Sequence, residues 1–415
     1  MTIADLDVAA RPAGRPLGMV PSRSVALLVI GLFTLALVTG SVRSAPHLTG
    51  LLWSGPYDRD NDTVTLTPAT LYVSHHATLT AYGLADGAVR WSAASPGVVA
   101  AVPSVAGGVI VAPDGFERYF ERPDLLLSRT TRTIGRDART GAVLWRAAGA
   151  PQDVTDRSVL LLDDTGGPPE LRDVGLHDGR VLWSRPVPGL ASVVVAGGAV
   201  VTAGVDGRLT VLRYADGAVT RTAKVPWPGN ARLSAAAGRL VVTSQGSSGQ
   251  ANTVYRPDTL AELWHAGGSL FDCRAVLCGT VPGALIGYDP DTGAGRWRLP
   301  GVTVAWPVRD DRIIASSDLD GRFQLLDPAT GRPLGAGSAG LGSWRPDGRT
   351  TVSGAPEASS AYVIRDEAAL VRLDLRTGSQ YLAGTVAGTG WIGCRNVAKY
   401  LVCLQNNRLT VTAVD

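Results

Sequence analysis

Few residues of this chain combine type and spacing in a way that supports chemistry. Asp58-Arg-Asp-Asn-Asp62 sets three carboxylates at alternate positions, as a calcium loop begins, but no Gly stands at the sixth place and no Glu at the twelfth. A solvated loop is the better account. His75 and His76 adjoin on an expected strand, where neighbouring side chains face opposite sides and cannot share one ligand. No Ser/His/Asp grouping, no Gly-x-Ser-x-Gly elbow and no glycine loop ahead of a helix occurs. The four cysteines include no Cys-x-x-Cys and have no His beside them, which argues against a metal site. What remains for them is cross-linking. Cys273 and Cys278 flank four residues, Cys394 and Cys403 flank eight, and each pair straddles an expected turn between consecutive strands. Three pairings are possible, and 273–278 with 394–403 is favoured because cross-strand neighbours in a hairpin can meet disulfide distance limits. No catalytic, cofactor-binding or metal-binding residue is assigned.

The elements that must position these residues are set by a repeat. Tyr288-Asp-Pro-Asp-Thr-Gly-Ala-Gly-Arg-Trp297 recurs as Gly135 to Trp145, Leu326 to Gly331 and Leu373 to Gly378, with looser copies at Tyr82, Val174, Tyr214 and Tyr255. A strand carrying an Asp, a tight Thr-Gly or Asp-Gly turn, and a short strand ending in Trp spell a β-hairpin. The turn glycines Gly87, Gly141, Gly179, Gly217, Gly293, Gly331 and Gly378 lie 38 to 76 residues apart, and the longest gap holds a worn copy near Leu260. A period near 40 with several strands per unit predicts a β-propeller. The tally is nine units with an incomplete last one. Eight blades are expected, with nine as the alternative and the copy at 239–265 the weakest.

The last unit, Tyr400 to Val414, lacks the outer strand that carries Trp. That strand stands at the other end of the propeller as Leu51-Leu-Trp-Ser-Gly-Pro56, matching Val181-Leu-Trp-Ser-Arg-Pro186. The N-terminal strand is therefore expected to complete the last blade and hide an edge. Trp53, Trp91, Trp145, Trp183, Trp264 and Trp297 share one outer-strand position and are expected to dock on the neighbouring blade. The Asp of each turn, as in Asp137, Asp289, Asp327 and Asp374, is expected to accept turn N–H groups.

Trp306, Trp344 and Trp391 fall instead on inner strands, where core packing is the simpler reading and an aromatic binding wall the sharper one. A long insertion, Asp114 to Leu127, mixes Phe116, Tyr119 and Phe120 with charges, a composition found at protein interfaces. It reads equally as a loop folded back on its own blade.

The unit Leu-x-x-x-Asp-x-x-Thr-Gly-x-x-x-Trp resembles the repeat of PQQ-like (pyrroloquinoline-quinone-type) propellers. That superfamily includes the quinoprotein alcohol dehydrogenases and the outer-membrane assembly propeller of Gram-negative bacteria. The resemblance covers roughly residues 50 to 415 and implies fold more than function. Quinone-dependent members usually carry a bonded pair of adjacent cysteines and a carboxylate-held calcium. This chain has no Cys-Cys dipeptide and no heme-attachment motif, so no cofactor is expected.

The propeller is expected over 51–415. Before it, 1–24 read as a polar disordered tail, 25–42 as an uncharged apolar run and 43–50 as a tether. At about 1.5 Å per residue such a run just spans a hydrocarbon core. A cleaved signal peptide is the alternative. Arg11, Arg15 and Arg23 before the run outnumber Arg43 behind it, which predicts a cytoplasmic tail and an extracytoplasmic propeller, extracellular or periplasmic, on a single-pass anchor. Charged residues are only 18% with a net charge of +3, and no Lys/Arg stripe marks a nucleic-acid surface. The expectation is a non-catalytic scaffold binding a protein or cell-wall partner through propeller loops. The alternative is an enzyme, either a quinone-dependent dehydrogenase or an envelope-glycan hydrolase or lyase.

Overall fold

The computed structural model describes residues 50–95, 102–122, 125–246, 249–302, 304–309, 311–316, 323–335, 350–352, 360–365, 369–385, 391–405 and 407–414. The expected tail, apolar run and most of the tether lie outside the described residues. Among the described residues no helix is long and apolar enough to cross a membrane.

Everything described is strand and turn. Each Thr-Gly or Asp-Gly turn reverses one strand onto the next, and the described residues gather into nine sheets, one for each unit of the tally. In the first sheet Thr63–Leu66, Thr70–His75, Thr78–Gly83 and Val89–Ala94 pair antiparallel in sequence order, with Thr350–Val352 parallel to the innermost strand. The second holds Ser104–Ala106, Val109–Arg122, Leu125–Asp137 and Val143–Ala148. The third spans 150–186, the fourth 190–224, the fifth 232–267 and the sixth 269–300, each with four strands. Those at 304–326 and 360–385 have three strands each. The expected all-β, eight-bladed propeller is supported, and these two are its incomplete sheets among the described residues. The worn copy at 239–265 belongs to a full four-stranded sheet. Leu260 takes the turn glycine's place at φ 56 and donates the same turn hydrogen bond, to the Arg256 carbonyl.

The last sheet is built from both ends of the propeller. Leu51–Pro56 pairs antiparallel with Arg408–Ala413, Trp53 opposite Val411, beside Tyr400–Gln405 and Trp391–Val397. This is the closure expected from the sequence. Alternate residues of each strand pack on the sheet before and the sheet after. Val397, Val402, Leu409 and Val411 of the last sheet bury against Val64, Leu66, Leu71 and Leu84 of the first, which closes the ring hydrophobically.

The docking tryptophans tie successive sheets. Each indole N–H donates to a turn carbonyl of the next sheet: Trp53 to Leu84 at 2.9 Å, Trp91 to Ala138 at 3.1 Å, Trp145 to Leu176 at 2.6 Å, Trp183 to Tyr214 at 2.8 Å, Trp264 to Pro290 at 3.0 Å and Trp297 to Pro328 at 2.8 Å. The turn glycine of that next sheet lies on the ring. Gly141 has φ 74, and a Cβ there would stand 2.6 Å from the Trp91 indole. The motif thus needs Gly twice, for the left-handed turn and for the approach of the ring.

The turn carboxylates cap their turns as expected. Asp137 accepts the Thr140 N–H at 2.7 Å and its hydroxyl at 2.8 Å, and Asp289, Asp327 and Asp374 accept the corresponding Thr N–H. These bonds favour the charged form and hold Asp137 and Asp374 below the ordinary carboxylate range, while the Arg296 guanidinium and turn N–H groups bring Asp289 to about 2. Cys273–Cys278 and Cys394–Cys403 are both disulfide-bonded and buried, and Cys394 and Cys403 lie directly opposite each other in the register.

Candidate functional site

The insertion is neither a loose loop nor folded back as one. Val109–Arg122 and Leu125–Asp137 continue their antiparallel pairing to Arg122 opposite Leu125. The neighbouring inner strand pairs only as far as Val111, and the outer strand reaches only Arg132. Beyond Gly115 the pair is a two-stranded ribbon with no other strand paired to either edge among the described residues. Seven residues of each strand at about 3.3 Å apiece make an arm of roughly 23 Å. Phe116 on it is 40% exposed, with the Arg118 guanidinium 5.9 Å from its ring centre. Tyr119 and Phe120 hold register positions opposite Leu127 and Leu126. At its base Arg129 pairs with Glu117 at 3.0 Å and donates to the Asp164 carbonyl at 3.1 Å, joining the arm to the next sheet.

In a four-stranded antiparallel blade the connection from second to third strand shares a face with the link to the next blade. The arm therefore rises from the same face as the loop after Asp163 and the turn at Val205–Gly207. On that face a cleft of 430 Å³ opens between the third and fourth sheets, lined by Arg185, Pro186, Val187, Leu190, Val205 and Arg208 among others. It is wide enough for a small ligand or a short extended peptide. Arm, loop and cleft follow one another across three sheets.

The histidine pair differs from expectation. His76 leaves the strand at φ 43, so its ring does not alternate away but meets His75 edge-on at 4.0 Å. His75 Nδ1 lies 2.7 Å from Asp62, whose carboxylate also accepts the Asp58 N–H at 2.7 Å. With Asp62 buried in these bonds and Asn61 bonded to Asp58, the 58–62 run is a self-capped turn. Among the described residues no group of three His, Cys, Asp or Glu could hold a metal ion.

Two polar clusters escaped sequence reading, because their members come from distant strands or separate sheets. Between the third and fourth sheets, Asp173 is 2% exposed and one of its carboxylate oxygens has no hydrogen bond. Burial pushes its pKa up to about 6, a hydrogen bond from Ser158 opposing and the Asp153 carboxylate adding to the rise. Burial and the same two carboxylates also raise Tyr214 of the fourth sheet. The second cluster, at the root of the arm, gathers Asp114, Arg132, Arg136 and Arg146.

Of the inner-strand tryptophans, Trp306 packs against Ile314, Leu325, Leu373 and Leu375, which is the core reading. Trp344 lies outside the described residues. Trp391 begins a strand of the last sheet, and its side chain lies outside what is described. Trp227, in the loop Pro226-Trp-Pro228, is half-buried against the core between the fourth and fifth sheets.

A family model described as outer membrane protein assembly factor BamB matches residues 50–164. Among solved structures, BamB from Moraxella catarrhalis is 17% identical over 88% of this chain and 99% of that one, with a TM-score of 0.43. A quinohemoprotein alcohol dehydrogenase, ADHIIG from Pseudomonas putida HK5, is 12% identical over 88% of this chain and 76% of that one, with a TM-score of 0.44. A eukaryotic initiation factor is 10% identical over 83% of this chain and 91% of that one, at a TM-score of 0.53. At 10% identity this last likeness is one of fold alone. No curated protein matches the sequence.

Proposed function

We propose that this chain, a β-propeller of the PQQ-like superfamily, is a non-catalytic binding scaffold of the cell envelope, held at the membrane by residues 25–42 with its propeller outside the cytoplasm. The observation that carries this reading is the arm. A two-stranded ribbon to whose edges no other strand pairs among the described residues, with an exposed Phe116, offers a partner both main-chain hydrogen bonds and apolar contact. Its partner is a protein that adds an extended strand. The family match to an assembly factor over 50–164, which contains the whole arm, supports an envelope-protein partner.

The test is proximity labelling from the propeller in cells, comparing the intact chain with one in which residues 116–130 are replaced by an Asn-Gly turn. Loss of the dominant labelled protein, with unchanged thermal stability, supports the reading. Labelling that survives the replacement overturns it. Dye reduction after reconstitution with calcium and pyrroloquinoline quinone would establish the dehydrogenase instead.

A further inference from the structure

The root of the arm holds an imbalance of charge. Arg132, Ile134 and Arg136 alternate along one strand and so share its face toward the first sheet, and Arg146 stands directly opposite Ile134 on the neighbouring strand. Arg136 crosses the seam to donate to the Ala94 carbonyl at 2.7 Å, and gives its other terminal nitrogen to the Gly141 carbonyl at 2.9 Å. Both acceptors are neutral. Its Nε is buried without a hydrogen bond. The carboxylate that acts on it, Asp114, is engaged by Arg146 at 3.0 Å and by Arg132 at 3.7 Å. Three guanidinium groups thus share one carboxylate. Burial disfavours the charge on Arg136, and Arg146 disfavours it further. A charge taken from water is costly, and the carboxylate that favours it here, Asp114, is shared with two other guanidinium groups.

We propose that the seam between the first and second sheets, at the root of the arm, is a seat for an oxyanion group, a carboxylate or phosphate bound by Arg132 and Arg146 beside Asp114. Arg132 and Arg146 are each more than half exposed, so their guanidinium groups open to solvent while Arg136 supplies charge from behind. Guanidinium forks match carboxylate and phosphate oxygens in pairs, and a partly desolvated setting strengthens such bonds. Asp114 is an internal competitor, since it occupies part of the donor set an incoming anion would use. This gives the seat a distinctive signature: removing an arginine weakens binding, and removing the native carboxylate strengthens it.

The experiment titrates the full-length protein with inorganic phosphate, and separately with acetate, against chloride at matched ionic strength. Binding is read by phosphorus NMR line broadening for phosphate and by thermal unfolding for both. Arg136→Gln is avoided because its loss can unfold the seam, and the outer arginines serve instead. Phosphate or acetate should bind the native chain, and the double variant R132Q/R146Q should weaken that binding roughly tenfold or more. Asp114→Asn should tighten it several-fold. Equal responses of the native chain, R132Q/R146Q and D114N would mark a general salt effect and overturn the seat, as would the absence of any response beyond chloride. Phosphate broadening without an acetate response identifies a phosphate-bearing ligand, and responses to both identify the shared oxyanion chemistry.

Discussion

The indole of Trp53 lies on Gly87, so close that a Cβ on that glycine would stand 2.7 Å from the ring. Trp53 belongs to the strand that completes the last sheet, and Gly87 to the turn of the first, so this one contact spans the closure of the ring. Trp53→Ala should cost about 3 kcal/mol, at the lower end for a large aromatic because the side chain is only partly buried. Deleting residues 51–56 should raise amide exchange across 408–413 well above that across 199–213. Equal protection of the two segments would show that the N-terminal strand is not the clasp.

Glycines at the turns separate backbone strain from ring contact. Gly141 at φ 74 meets Trp91, whereas Gly198 at φ 76 has open space where a Cβ would go. Gly198→Ala should cost about 1 kcal/mol, the left-handed penalty alone. Gly141→Ala should cost at least about 1–2 kcal/mol more, because the indole must move as well. Urea midpoints of the two variants measure the difference, and equal losses would dissociate the glycine from its tryptophan.

Asp173 imposes a pH dependence of unusual sign. Its folded pKa of about 6 exceeds the ordinary 3.8, so between those values the folded chain keeps a proton that the unfolded chain has released. Stability is greatest below the unfolded value and falls as pH rises through the folded one, by up to about 3 kcal/mol for two units. The capped turn carboxylates act oppositely, losing their contribution as pH falls through their depressed values. Subtracting the profile of Asp173→Asn from that of the native chain isolates the seam. A flat difference between pH 4 and 7 would refute the assignment.

All four sulfurs are bonded, so a thiol reagent should label none of the cysteines in the unreduced, denatured chain. Replacing Cys394 and Cys403 together by Ala should lower stability by about 2–3 kcal/mol, the figure for a loop near nine residues. Two or more labelled thiols would contradict the pairing.

The sequence made the fold legible because one motif serves two purposes. Its glycine turns the chain and its tryptophan docks the next unit, so a copy that carries both announces a hairpin and an interface. Leu260 blurred that signal by entering the left-handed region without glycine, with no change in the sheet it closes. The arm was legible as an interface composition but not as a ribbon, since mixed aromatic and charged residues lack strict alternation. The Asp173 and Arg136 clusters were invisible for a simpler reason. The first is assembled across two sheets and the second from three strands of one sheet, and nothing in the local spacing of their members brings them together.

The clasp strand also carries a cost in time. Leu51–Pro56 is made before any other strand of the propeller, yet its partner Arg408–Ala413 is made last. At about 5–20 residues per second, the roughly 350 residues between them take some 20 to 70 s to synthesise. Through that interval the strand has no sheet to join, and the Leu84–Gly87 corner of the first sheet has no indole to cover it. Loop closure over most of the chain must precede this final pairing, the kind of non-local contact that slows folding. Until synthesis is complete neither end of a nascent chain of this kind has its partner strand, so the open edge persists longest where the ring closes.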